Sequence, residues 1–270
     1  MKFAMCNEFC EGYEFADVCR LAAQTGYDAV EIAPFTLADS VLDVGDAGRA
    51  RIRETAAEHG LEIAGLHWLL VKPEGLHLNS PDPETRRQTV DYLHAEIDFC
   101  GDVGGRNMII GSPKQRNVLP GQDYDEVWDR AVGVFGALAV HAAERDVCLC
   151  IEPLAPVETN FLSTSAEARR LVDAVGHPHF RMMLDVKAMC GDEEPIPDII
   201  RESKGYFEHF HANDANLNGP GFGDTDYGPI VAALRDVAYD GYVSVEVFDF
   251  SPGAETIARE SLRFLKEVFA

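Results

Sequence analysis

No stretch of this chain approaches the roughly 20 consecutive apolar residues that a membrane-crossing helix requires, so neither a membrane segment nor a membrane partner is expected. Basic residues are scarce: 23 Lys and Arg stand against 46 Asp and Glu, a formal charge of -23. That balance opposes the phosphate-backbone attraction behind most non-specific nucleic-acid binding, and no nucleic-acid partner is expected. None of the seven cysteines forms a C-x-x-C pair, and an odd count in a chain this long argues against a disulfide framework, leaving buried, reduced thiols as the expectation. The N-terminus, MKFAMCNEFCEGYEF, lacks an apolar leader core and a small-residue cleavage site, which points to the cytoplasm. There is no Ser/Gly-rich linker, low-complexity tract or sequence repeat, so residues 1–270 are read as one domain. A glycine-rich phosphate turn is also missing after the first apolar run, where Asn7-Glu8-Phe9-Cys10 stands; this disfavours a doubly wound open sheet.

What the chain does have is a regular alternation. Eight short runs rich in Val, Ile and Phe read as strands: Phe3 to Glu8, Asp28 to Pro34, Ile63 to Trp68, Asn107 to Ser112, Cys148 to Pro153, Arg181 to Val186, Phe207 to Asp214 and Tyr242 to Val247. Segments of helical period follow them, such as Ser80 to Val103 and Asp123 to Asp146. Cap residues in Ser80-Pro81-Asp82 and Ser163-Thr164-Ser165, and stops at Gly26, Gly60 and Gly104, fit the same scheme. Eight βα units in one chain of this length predict an α/β fold, a (β/α)8 TIM barrel.

In such a barrel the chemistry gathers at the C-terminal ends of the strands. The last four runs each end in a polar residue: Cys-Leu-Cys-Ile-Glu152, Arg-Met-Met-Leu-Asp185, Glu-His-Phe-His211 and Val-Ser-Val-Glu246. Spaced by about one βα unit, they should converge at the barrel mouth, where three carboxylates would repel one another unless a cation lay between them. Carboxylate and imidazole ligands without thiolate predict one divalent ion, Mn²⁺ by preference, with Co²⁺, Mg²⁺ or Zn²⁺ compatible. Glu152 and Glu246 are placed to act as proton-transferring bases on opposite faces of a substrate.

Other polar residues are candidates of lower rank. His67 ends the third run beside Trp68 and is expected as a substrate contact; Glu8 and Glu31 end or nearly end the first two. His209 should lie one layer below His211 as a core or supporting histidine. Lys187, two residues past Asp185, and Lys114 and Arg116, after the fourth run, could form a cationic patch that suits a phosphate, carboxylate or enolate oxygen.

These pieces resemble a known family. Ile-Glu152-Pro, Leu-Asp185-Val, Phe-His211-Ala-Asn and Val-Glu246-Val-Phe, together with Gly221-Phe-Gly-Asp-Thr-Asp-Tyr-Gly-Pro-Ile, make the whole chain similar to the xylose-isomerase-like barrel superfamily. Within it, the chain resembles the sugar phosphate isomerase/epimerase group that includes the D-tagatose and D-allulose (psicose) 3-epimerases. The resemblance implies a metal held by Glu152, Asp185, His211 and Glu246, proton exchange between substrate carbon and the two glutamates, and a sugar contact from Glu158. The expected partner is therefore a sugar or keto-sugar, with a homo-oligomer, dimer or tetramer, left open.

Two departures stand out. Where those epimerases resemble Asp-x-x-His, this chain reads Asp185-Val-Lys187-Ala188, and where they carry an arginine after the metal histidine it has Leu217. A dehydratase or lyase on a keto-sugar or keto-inositol is thus the alternative to an isomerase or epimerase. An abasic-site endonuclease would need further histidines and a basic groove, against which Ala188 and the acidic charge speak. A non-catalytic sugar-binding barrel is the remaining reading.

Overall fold

The computed structural model describes residues 1–270. Eight parallel strands close into a barrel in sequence order: β1 (Lys2–Cys6), β2 (Ala29–Ile32), β3 (Glu62–Leu66), β4 (Asn107–Ile110), β5 (Cys148–Ile151), β6 (Phe180–Asp185), β7 (Phe207–Ala212) and β8 (Tyr242–Val245). β8 closes on β1 with Lys2 opposite Tyr242 and Met5 opposite Val245. The outer layer consists of α1 (Phe15–Thr25), α2 (Asp46–Glu58), α3 (Pro83–Val103), α4 (Tyr124–Glu144) and α5 (Ser165–Val175), then the short α6 (Val186–Met189) and α7 (Ile196–Glu202), and finally α8 (Tyr227–Asp236) and α9 (Ala254–Val268). None of these helices is long and apolar enough to cross a membrane.

The strands are shorter than the apolar runs suggest, because the backbone leaves the ladder early. Trp68 and Ser112, read as strand ends, have left-handed φ of 51° and 38° and turn the chain over the mouth. Helix starts are set by side chains: Asp82 accepts the amides of Glu84 and Thr85 with Pro83 as first helical residue, Asp123 caps α4, and Thr164 caps α5.

Most of the apolar core lies between barrel and helices, in a cluster of 62 buried residues. Separate from it are two small groups, Ala4-Ala29-Ala64 and Ile109-Cys150-Met183. Polar side chains also fill the interior: Cys6, Glu31, His209 and His211 are all fully buried, with His209 opposite Met183 and so one layer below His211, which lies opposite Asp185. A register shift between Met182 and Met183 sets Asp185 opposite His211 in the β6–β7 ladder. The cysteines are all free; Cys190, expected to be buried, is exposed because it falls in the loop after α6.

Candidate metal centre and active site

Asp185 is the last residue of β6 and His211 lies near the end of β7, while Glu152 and Glu246 are the first residues past β5 and β8. Their ligand atoms lie within 4.8 Å of one another, and all four residues are buried. Each is held differently. Asp185 caps α6 by accepting the Ala188 amide at 2.7 Å, and its other oxygen takes the Asn213 side-chain amide. Glu246 receives the indole N–H of Trp68 at 2.7 Å and lies 3.0 Å from Nδ1 of His211. Glu152 packs against Gly111, where any Cβ would overlap Oε2, and its carboxylate makes no hydrogen bond within the protein.

Three buried acids in one place set one another's charge. Burial, with the charges of Glu246 and Asp185 added, pushes Glu152 up to about 8. Burial and Glu246 raise Asp185 to about 6. Burial would raise Glu246 too, but attraction and hydrogen bonding to His211, and then His67, outweigh it and hold Glu246 well below the usual carboxylate range. A divalent cation held here would relieve this repulsion, since it would let all three carboxylates ionise together. Three carboxylates and one imidazole form a donor set suited to such an ion.

Above the four residues opens a cavity of about 460 Å³, lined by Trp68, Lys114, Glu152, Glu158, Lys187 and Glu246 among others. Lys187 binds Glu158 at 2.7 Å and stands 4.0 Å above the ring centre of Phe248. Phe248 in turn stacks on Trp68, with ring centres 6.0 Å apart. Lys114 also faces the cavity and forms no ion pair.

Two expected contacts lie elsewhere. Arg116 is not a cation at the mouth: the Pro113–Gln115 turn folds it under the cavity floor, where it is 1 % exposed. There Nη1 donates to the Ile110 carbonyl at 3.1 Å, and Asn79 binds the Arg116 carbonyl. Burial lowers its guanidinium to about 10, opposed by the charges of Glu152 and Glu158. A cationic patch built from Lys187, Lys114 and Arg116 is therefore reduced to Lys114, since Lys187 is already paired and Arg116 is enclosed. His67 is fully buried behind the wall, between Glu8 Oε2 at 3.4 Å and Glu246 Oε1 at 3.5 Å, rather than lining the cavity.

Sequence reasoning passed over several residues of this centre. Trp68 as a donor to Glu246, Asn213 as a donor to Asp185, and Gly111 as the seat of Glu152 depend on neighbours far along the chain. Asn213 alone carried a local signal, since it lies two residues beyond His211 and so shares its face. At the departures from the epimerase pattern, Ala188 is buried and donates only its backbone amide to Asp185. Leu217 is exposed at a left-handed φ of 73°, and its carbonyl accepts the amides of Phe248 and Asp249.

The sequence profile of the xylose isomerase-like TIM barrel family matches residues 19–268, and the chain belongs to that family. Its relatives there are ketose 3-epimerases. It is 36 % identical to a D-psicose 3-epimerase of Enterocloster bolteae, over 84 % of this chain and 75 % of that one. A D-psicose 3-epimerase of Agrobacterium fabrum is 29 % identical, over 87 % and 80 %. A probable ketose 3-epimerase of Synechocystis is 25 % identical, over 96 % and 91 %. Among solved structures, a D-psicose 3-epimerase crystallised in the presence of D-fructose superposes with a TM-score of 0.87 at 24 % identity, over 100 % of this chain and 99 % of that one, which establishes the shared fold.

Proposed function

We propose that this protein is a divalent-metal-dependent ketose 3-epimerase. The observation that carries the reading is that Glu152 and Glu246, three strands apart around the barrel, line the same cavity and belong to the same four-residue cluster. Glu152, Asp185, His211 and Glu246 would hold the cation, Mn²⁺ by preference, which when bound polarises a ketone oxygen and stabilises the negative charge that develops as the adjacent carbon loses its proton.

The chain's own groups divide the remaining work. Trp68 donates its indole N–H to Glu246 and fixes its orientation, so one carboxylate is aimed at one face of the sugar. Glu152 has no protein hydrogen bond and is free to give or take a proton on the other face. Removal by one and return by the other inverts the carbon, and a positioned acid or base contributes about 10² to 10⁴-fold. Trp68 and Phe248 offer an apolar wall for the sugar, and Glu158 offers an acceptor for a hydroxyl.

A keto-sugar dehydratase or lyase is the second reading. The Lys187 ammonium, close to Glu158 in the cavity, is a proton donor placed to assist loss of a hydroxyl.

One experiment separates the readings. Metal-loaded protein is incubated in D₂O with ketoses and keto-sugars and followed by NMR. An epimerase yields the C3 epimer with deuterium at C3, whereas a dehydratase yields a product short of one water. Asp185→Ala should lose both the ion and turnover; full turnover in a demonstrably metal-free Asp185→Ala protein would falsify the metal-dependent reading.

A further inference from the structure

Below the mouth, Glu31 joins two histidines across the barrel. It stands on β2, fully buried, with Oε1 3.1 Å from Nε2 of His211 and Oε2 2.7 Å from Nε2 of His209. An ionised carboxylate only accepts hydrogen bonds, so each of these imidazoles must carry its proton on Nε2. Neighbouring groups agree with that assignment. With Nε2 protonated, Nδ1 of a neutral His209 is an acceptor, and the Asn107 side-chain amide lies 3.3 Å away to donate to it. The Asn107 side-chain oxygen then faces the thiol of Cys150 at 4.0 Å. On His211 the nitrogen on the Glu246 side is Nδ1, 3.0 Å from Oε2; the proton it shares with Glu246 is the one a bound cation would displace, which leaves the Nε2–H on Glu31.

We propose that Glu31 is a positioning residue for the metal centre: it accepts the Nε2–H of His211 and thereby presents the Nδ1 lone pair of His211 to the cation. This inference rests on the metal-dependent reading above. A carboxylate behind a metal-binding imidazole fixes the ring and makes the free nitrogen a better donor, and loss of such a partner typically lowers metal affinity about 10–100-fold. Here one carboxylate orients two imidazoles, so its amide analogue meets a conflict. Glutamine can accept from one Nε2–H, but its NH₂ group faces the other and requires that ring to give up its proton there.

The test uses full-length protein. Mn²⁺ is titrated calorimetrically into wild type, Glu31→Gln and Asp185→Ala, and ¹⁵N-histidine NMR of Zn²⁺-loaded wild type reads which nitrogen of His211 carries the proton. The inference expects one Asp185-dependent ion per chain, an affinity at least tenfold weaker in Glu31→Gln, and His211 protonated on Nε2 with Nδ1 bound to the metal. Affinity within threefold of wild type in a folded Glu31→Gln protein overturns it, as does a proton on Nδ1 of His211. A second ion per chain that disappears in His209→Gln also overturns it, because Glu31, His209 and His211 would then be ligands of their own site. Should Glu31→Gln fail to fold, the NMR of wild type decides. If wild type binds no Asp185-dependent ion, the metal-dependent reading itself fails, a result distinct from intact binding that ignores Glu31.

Discussion

The carboxylate of Glu152 occupies the space that a side chain at residue 111 would fill, since a Cβ built on Gly111 overlaps Oε2 of Glu152. Gly111 has no left-handed φ, so alanine suits its backbone and the cost of substitution falls on its neighbour. Gly111→Ala should therefore displace Glu152 while the barrel stays folded. Expected are at least about a tenfold loss of kcat/KM, equivalent to roughly 1.4 kcal/mol, and weaker Mn²⁺ binding, with far-UV circular dichroism unchanged. Wild-type kinetics in this variant would mean that Glu152 does not need that position.

Lys187 and Leu217 bear on the choice of sugar. The histidine and arginine that the resemblance leads one to expect are replaced by Ala188 and Leu217, neither of which offers the cavity a polar side chain, while Lys187 and Glu158 form a pair within it. Hydroxyls left unpaired in a buried site cost about 1–3 kcal/mol each. Free fructose and tagatose should therefore be poor substrates, and Lys187→Ala should lower kcat/KM on the preferred substrate at least tenfold. Steady-state kinetics over a ketose panel checks both; efficient epimerisation of free fructose that ignores Lys187→Ala would return the specificity to that of an ordinary ketose 3-epimerase.

Away from the site, Glu96 on α3 is fully buried and neither carboxyl oxygen has a hydrogen-bond partner. Burial alone lifts it well above the ordinary 4.5. The folded chain thus keeps a proton that the unfolded chain releases as pH climbs past about 4.5, so stability falls with rising pH from there up to the folded value. Glu96→Gln, which is neutral throughout, should raise Tm more at pH 8 than at pH 5. Each kcal/mol corresponds to about 2–4 °C in a protein near this size. Equal gains at both pH values, read by calorimetry, would show that Glu96 is solvated after all.

With a net charge of -23, self-repulsion should oppose the compact state. Salt shortens the screening length from about 10 Å at 0.1 M to about 3 Å at 1 M, weakening that repulsion along with the exposed ion pairs. The pairs contribute little individually, so repulsion should dominate and Tm should rise over this range. A falling Tm in a thermal melt series would show that networks such as Arg49–Asp102–Arg145 outweigh it.

Local pattern alone settled the order of βα units and the four strand-end ligand candidates, because strand alternation and strand ends are properties of a few neighbouring residues. Asp185 and Glu246 could be picked out in this way without knowing what lay opposite them. The surroundings of those residues belong to the closed barrel. Glu31 and His211 are 180 positions apart and meet only because β2 and β7, three strands apart around the closed barrel, both turn these side chains into its interior. Trp68 reaches Glu246 across 178 positions, after a left-handed turn that its neighbours in the chain do not announce. The same holds for Arg116, whose charge suggests solvent until the turn after β4 and the side chain of Asn79 fold it beneath the cavity. Closing the barrel sets distances between residues remote in the chain, and hydrogen bonds and burial depend on those distances rather than on spacing along it.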